Sequence, residues 1–120
     1  MRQLLIVDDH PDIRRLLSIA LGKQYAILEA ESGLAAMDVI RRHHPAAVLL
    51  DIMMPGELDG LGVLDAIKND PATRDILVAM VTARGQSADT ETANRRGADA
   101  YFVKPFSPLQ IADWLEDRLP

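Results

Sequence analysis

Ala47-Val48-Leu49-Leu50-Asp51-Ile52-Met53-Met54-Pro55-Gly56 is the stretch on which the fold turns. Four apolar residues run on without alternation and stop at a carboxylate, the pattern of a strand buried on both faces that ends at a polar edge. Four further runs share it: Leu4-Leu5-Ile6-Val7, Tyr25-Ala26-Ile27-Leu28, Ile76-Leu77-Val78-Ala79-Met80-Val81 and Ala100-Tyr101-Phe102-Val103. Between these runs the apolar period changes to that of a helix. Ile13, Leu16, Leu17, Ala20 and Leu21 form one stripe, with Pro11 in its first turn and Gly22 at its end. Ser32 suits the N-cap of a second helix carrying Leu34, Met37 and Ile40 and stopped before Pro45. Leu61, Leu64 and Ile67 mark a third, ended around Asn69-Asp70-Pro71. Ser107, Pro108 and Gln110 read as a capping box for the last helix, along which Ile111, Leu115 and Leu119 follow at i+4 spacing.

The helix between Gln86 and Arg96 is poor, with Ala88 and Ala93 as its only apolar side chains. It either packs through small residues or is a loosely held element that shifts when a neighbouring site changes state. Five strands alternating with five helices predict an α/β fold: a doubly wound, five-stranded parallel sheet with right-handed crossovers, covered on both faces. Such a sheet binds ligands beyond the carboxyl ends of its strands, at the topological switch point.

Composition narrows the possibilities. The chain has 120 residues, with 13 Lys+Arg against 18 Asp+Glu and a formal charge of −5, so a sequence-independent grip on a phosphate backbone is not expected. There is no cysteine, which excludes disulfides and thiolate metal sites. No apolar run approaches the roughly 20 residues of a membrane span. The apolar stretch after Met1-Arg2-Gln3 meets Asp8-Asp9 too early for a signal peptide. The expectation is an acidic, cytoplasmic, single-domain chain.

The residues at the strand ends supply the chemistry. Asp8 and Asp9 follow the first run, Asp51 the third, Thr82 the fourth and Lys104 the fifth. Each of these alone has a plain structural use; Asp9 or His10, for example, could cap the helix that begins at Pro11. Together on one sheet edge they make a site. Three converging carboxylates repel unless a cation sits among them. Mg²⁺ prefers oxygen ligands and keeps several waters, leaving room for a phosphoryl oxygen. Lys104 offers a charge and Thr82 a hydroxyl donor to further oxygens. A carboxylate can itself accept a phosphoryl group, and Asp51 suits that role while Asp8 and Asp9 stand together as a metal-holding pair.

Four motifs, taken in order, carry a resemblance: Leu4-Leu5-Ile6-Val7-Asp8-Asp9, Val48-Leu49-Leu50-Asp51-Ile52-Met53-Met54-Pro55-Gly56, Val81-Thr82-Ala83 and Tyr101-Phe102-Val103-Lys104-Pro105-Phe106. The chain resembles the receiver domain of two-component response regulators over essentially its whole length. The resemblance implies one receiver domain over residues 1–120, with a flavodoxin-like fold of strand order 2-1-3-4-5. It implies that Asp51 is the phosphoacceptor, that Asp8, Asp9, Asp51 and the Met53 backbone carbonyl hold Mg²⁺, and that Thr82 and Lys104 bind phosphoryl oxygens. Tyr101 matches the aromatic that changes rotamer as Thr82 moves, and Lys104-Pro105 matches a bond usually cis in the family. Implied partners are a histidine kinase or phosphotransfer protein, and an output domain or protein at the face of the fourth helix, fifth strand and fifth helix. A homodimer through that face is a further implication. Neither a membrane nor direct nucleic-acid binding is implied.

One departure stands out. Met54-Pro55-Gly56-Glu57-Leu58-Asp59-Gly60 carries one residue more than the usual family loop, next to the metal. Met53 and Arg84 occupy family positions that flank the phosphate, where an apolar group and a guanidinium would slow or steer attack by water.

Other readings compete less well. A phosphohydrolase with an Asp nucleophile commonly has a second Asp two residues later, where this chain has Met53. A nucleotide- or flavin-binding domain needs a Gly- or Ser/Thr-rich turn where this chain has Asp8-Asp9-His10-Pro11. A degenerate receiver, acting as an interaction module without phosphorylation, is disfavoured by the complete set of five residues. Met1 favours a natural N-terminus, and no output domain follows Arg118-Leu119-Pro120, so the chain is read as a stand-alone receiver or a piece of a longer regulator or hybrid kinase. His43 and His44 are read as exposed residues at a helix C-terminus, and Arg41-Arg42 and Arg95-Arg96 as surface pairs. Trp114, partly exposed, could join the fourth helix in a partner surface.

Overall fold

A computed structural model describes residues 1–119. Strands β1 (Gln3–Val7), β2 (Ala26–Ala30), β3 (Ala47–Leu50), β4 (Leu77–Thr82) and β5 (Ala100–Val103) alternate with helices α1 (Pro11–Leu21), α2 (Gly33–His43), α3 (Gly60–Lys68), α4 (Ser87–Arg95) and α5 (Pro108–Arg118). The strands pair in parallel in the order β2-β1-β3-β4-β5. This is the doubly wound α/β fold that the alternation of runs and stripes predicts, in the flavodoxin-like strand order that the resemblance implies. No helix among the described residues is long and apolar enough to cross a membrane.

Successive strand residues point to opposite sides, so the sheet divides its core in two. Leu5, Val7, Val48, Leu50, Val78 and Met80 pack with Ile40, Leu64, Ile67 and other side chains of α2 and α3. Leu4, Ile6, Leu49, Ala79 and Val81 pack with Leu17, Leu21, Ile111 and Leu115 from α1 and α5. The three inner strands are buried almost throughout, whereas β2 and β5 are only half-buried. Uniform double-sided burial therefore fails for the outer runs: each has one flank without a neighbouring strand. The second run is also shifted, since pairing of Gln3–Val7 with Ala26–Ala30 carries β2 past Leu28 through Glu29.

The helix stripes are narrower than the periodicity suggests. In α1 only Leu17 and Leu21 are buried, while Leu16 and Ile19 are largely exposed. In α2, Gly33, Ala36, Met37 and Ile40 face inward and Leu34 points to solvent. Helix α4 buries Ala93 alone, and Ala88 is exposed. The two serine caps hold, with Ser32 Oγ accepting from Ala35 N–H and Ser107 Oγ from Gln110 N–H, whereas His10, at the N-cap of α1, makes no side-chain cap bond. His44 ends α2 in the left-handed region at φ 48°, and its Nε2 lies 2.6 Å from the Ala72 carbonyl oxygen. It is exposed, as expected, but its ring also contacts the loop between α3 and β4.

Candidate functional site

Register brings the site together. Val7 pairs with Leu50, so Asp8 and Asp51 leave adjacent strands side by side. The Asp51 amide donates to the Val7 carbonyl at 3.0 Å, holding the two strand ends level. Thr82 pairs with Val103, and the Lys104 amide donates to the Thr82 carbonyl at 2.8 Å, which sets Lys104 on the same edge. The Lys104–Pro105 peptide is cis.

Lys104 is the centre of the arrangement. Its Nζ donates to Asp8 Oδ2 at 2.7 Å and to Asp51 Oδ2 at 3.0 Å, and both carboxylates are buried. Burial alone would lower the Lys104 pKa, but the bonds to Asp8 and Asp51 outweigh it and raise the value above that of an ordinary lysine. For Asp8, burial pushes the pKa up, yet hydrogen bonds from Lys104 and from His10 more than offset this and hold it below the usual carboxylate range. Asp51 Oδ1 accepts from the Met53 amide at 3.1 Å, so one oxygen faces backbone and the other the ammonium.

Asp9 differs from its neighbours. Its Oδ1 is buried with no hydrogen-bond donor aligned on it, although His10 Nδ1 lies 3.1 Å away. Buried carboxylate oxygens are normally satisfied, and a cation satisfies one as well as a donor does. Ligand atoms from Asp8, Asp9, His10 and Asp51 all lie within 4.8 Å of one another. This oxygen-rich set fits a hard divalent ion.

Thr82 is fully buried at the end of β4, and its Oγ1 accepts from the Arg84 amide at 3.3 Å. The Tyr101 hydroxyl donates to the Arg84 carbonyl. Burial raises the Tyr101 pKa, and the charge of Asp89 adds to the effect, so the ring keeps its proton for that bond. The Arg84 guanidinium is drawn to Asp89 in the first turn of α4, with Nη2 2.8 Å from Oδ1. Arg84 thus lines the pocket while its charge is engaged with α4. Met53, more than half exposed, and Pro55 stand at the mouth of the same pocket of about 560 Å³.

Of the residues expected at the site, Asp8, Asp9, Asp51, Met53, Thr82 and Lys104 come together at this edge, whereas Tyr101 sits further back in β5, opposite Met80, and reaches Arg84 only through its hydroxyl. Others stand there as well, beginning with His10, which its place beside Asp9 leads one to expect as a solvated helix start. His10 turns its ring onto Asp8 and Asp9. Arg14 donates through Nη1 to the Asp8 carbonyl at 2.7 Å and through Nε to Glu29, so it steadies the loop that carries both acids. Its position one turn into α1, after an acidic strand end, was the available signal. Asp59, in the lengthened loop, accepts from Gly62 N–H at 2.9 Å and caps α3 at the pocket rim. Gly56 takes the turn at φ +102°. Leu58 then packs on the α2–α3 side of the core, which anchors the loop.

The description "response regulator receiver domain" is that of the family model matching residues 4–116. The probable transcriptional regulator ycf27 of Cyanophora paradoxa is 40% identical over 111 residues, covering 92% of this chain and 45% of that protein. The phosphate regulon transcriptional regulatory protein PhoB of Klebsiella pneumoniae is 37% identical over 111 residues, covering 92% and 48%. The chain therefore spans about half the length of these curated relatives. The crystal structure of the receiver domain of NtrX from Brucella abortus superposes with a TM-score of 0.87 at 33% identity, covering 97% of each chain.

Proposed function

Since this chain belongs to the response regulator receiver domain family, whose members act as signalling switches, we propose that it is a phosphorylation-dependent switch with Asp51 as the acceptor. The observation that carries this reading is the pair of bonds from Lys104 to Asp8 and Asp51 at the mouth of the strand-end pocket. Residues 1–120 then form a single receiver domain working in the cytoplasm.

Receiver domains generally bind Mg²⁺ at an acidic pocket, and Asp8, Asp9 and Asp51 with the Met53 carbonyl would hold it here. When bound, the ion supplies positive charge against the phosphoryl oxygens. A carboxylate oxygen of Asp51 attacks the phosphorus of a phosphohistidine or small phosphodonor. The bond from phosphorus to the donor atom breaks, and that atom leaves with the electron pair and takes a proton. Lys104 keeps its proton and steadies a phosphoryl oxygen, and the Thr82 hydroxyl donates to another. The donor comes from a histidine kinase or a phosphotransfer protein, and water later hydrolyses the acyl phosphate.

Thr82, Arg84 and Tyr101 connect the pocket to α4. A phosphoryl group that draws in the Thr82 hydroxyl disturbs its bond to the Arg84 amide. Arg84 carries the Tyr101 bond on its carbonyl and the Asp89 pair on its guanidinium. The change thus reaches the α4–β5–α5 face, where an output domain, a separate protein or a second copy would read it. Trp114, half-buried on α5, packs edge-on against Phe102 with ring centroids 6.1 Å apart and lies under the Arg118 guanidinium. Its ring is thereby held in place beside that face. With a charge of −5, no direct contact to nucleic acid is proposed for this domain.

The test is an intact-mass spectrum after incubation with a small phosphodonor, with and without Mg²⁺, on wild type and Asp51→Asn. One Mg²⁺-dependent phosphoryl adduct, lost in the variant, is expected. An adduct that survives in Asp51→Asn moves the acceptor elsewhere. No adduct under any condition leaves an interaction module that is not phosphorylated.

A further inference from the structure

We propose that His10 is a ligand of the same cation site, through Nδ1, and that it gives the site a preference for a first-row transition ion such as Mn²⁺ over Mg²⁺. This rests on the reading that Asp8, Asp9 and Asp51 hold a divalent ion. The first observation is where the ring points. His10 occupies the N-cap of α1, yet its side chain makes no cap bond. Instead its backbone amide donates to Asp8 Oδ1 at 2.9 Å, which folds the residue back over the acidic pair. Nδ1 then hydrogen-bonds to Asp8 Oδ1 at 2.9 Å and lies 3.1 Å from Asp9 Oδ1, and an ion bound there would take the place of the ring proton.

These spacings suit shared coordination. In an octahedral site with ligands at about 2.0–2.1 Å, neighbouring ligand atoms stand about 2.9 Å apart. Asp8 Oδ1, Asp9 Oδ1 and His10 Nδ1 have two such edges, and Asp9 Oδ1 is the oxygen that lacks an aligned donor. Lys104 holds the second carboxylate oxygen of Asp8, so Oδ1, which accepts from the His10 amide, is the oxygen that faces the ring and the open side of the site. Approach to this group is open, because the His10 side chain is 64% exposed.

Chemistry sets the direction of the preference. An all-oxygen set suits Mg²⁺, whereas an imidazole nitrogen adds most for the transition ions, which bind such sites more tightly along the divalent series. Mg²⁺ keeps its waters and gains little from the ring. His10 is thus a specificity-determining residue of the ion site and has no part in the phosphoryl transfer itself.

The experiment uses the untagged chain, freed of metal and loaded with Mn²⁺, read by pulsed electron paramagnetic resonance, on wild type, His10→Gln and Asp9→Asn. Wild type should show the modulation of a directly bound imidazole nitrogen, and His10→Gln should not. The Mg²⁺ needed to displace half of the bound Mn²⁺ should fall on the order of tenfold in His10→Gln. Bound Mn²⁺ without that modulation in wild type overturns the role of His10 and leaves the carboxylate site standing. So does modulation that persists in His10→Gln, or equal displacement in both proteins. Asp9→Asn binding Mn²⁺ as tightly as wild type places the ion elsewhere and removes the site and the inference together.

Discussion

Lys104 shows how much one side chain can hold at a sheet edge. Its ammonium is the cation shared by two buried carboxylates, and its own side chain is only 16% exposed. Removing one partner of such a group leaves charges buried without compensation. Lys104→Met should therefore destabilise the metal-free protein by about 3–5 kcal/mol at neutral pH, as measured by denaturant unfolding. The effect has a pH signature. Because the folded Asp8 pKa lies below its unfolded value, its contribution is present above the ordinary Asp range and lost as pH falls through the lowered value. Because the Lys104 pKa is raised, that contribution is present below the ordinary Lys range and lost as pH rises through the raised value. The penalty in Lys104→Met should accordingly be full near neutrality and shrink at both extremes; a penalty that does not change with pH would contradict the pairing.

Helix α3 is seated by a glycine that no periodicity singles out. A Cβ on Gly60, its first residue, would lie 1.9 Å from the Asp51 carbonyl oxygen and 2.7 Å from the Ile52 Cα. Both neighbours are backbone directly at the acceptor, so neither can move aside without moving the site. Gly60→Ala should cost at least about 3 kcal/mol, at the upper end for overpacking, and should impair phosphoryl acceptance as well. Gly62 is the control. Its Cβ would meet the far end of the Leu58 side chain, which can turn away. Gly62→Ala gains helix propensity in return and should stay within about 1 kcal/mol of wild type. Equal losses in the two variants would show that α3 is not seated through Gly60. Helix α4 is the opposite case, an element buried only at Ala93 and bonded to the site through Arg84 and Asp89, so it can shift at small cost in packing.

At the scale of the molecule, Lys104 compensates Asp8 and Asp51, and the Asp9 oxygen without an aligned donor is what a bound cation would satisfy. An ion that binds only the folded form raises stability by about 2.7 kcal/mol at a hundred times its Kd. Mg²⁺ should raise the unfolding midpoint of wild type, chelation should reverse this, and Asp9→Asn should respond little. A midpoint indifferent to Mg²⁺ in wild type would show that the acidic cluster does not hold the ion. The five-stranded order makes this possible: β1 and β3 are neighbours at the switch point, so acids distant in sequence share one pocket with Lys104 from the outer strand.

Legible in the chain alone were the element types, the strand ends as the place to look for a site, and the acids, hydroxyl and amine that stand there. Those features are local: a strand run, a helix stripe and a polar stop are each written within about ten residues. Which apolar residues are covered, why β2 runs on to Ala30, and where the rings and guanidiniums point depend on contacts between elements. Leu34 and Leu16 fit their stripes in sequence and still face solvent, because burial depends on whether another element lies opposite. His10, Arg14 and Gly60 took their roles at the site from partners on other elements or from the turn of the backbone. Lys104 and Asp8 are 96 residues apart, and no local pattern in a chain encodes a contact across that distance.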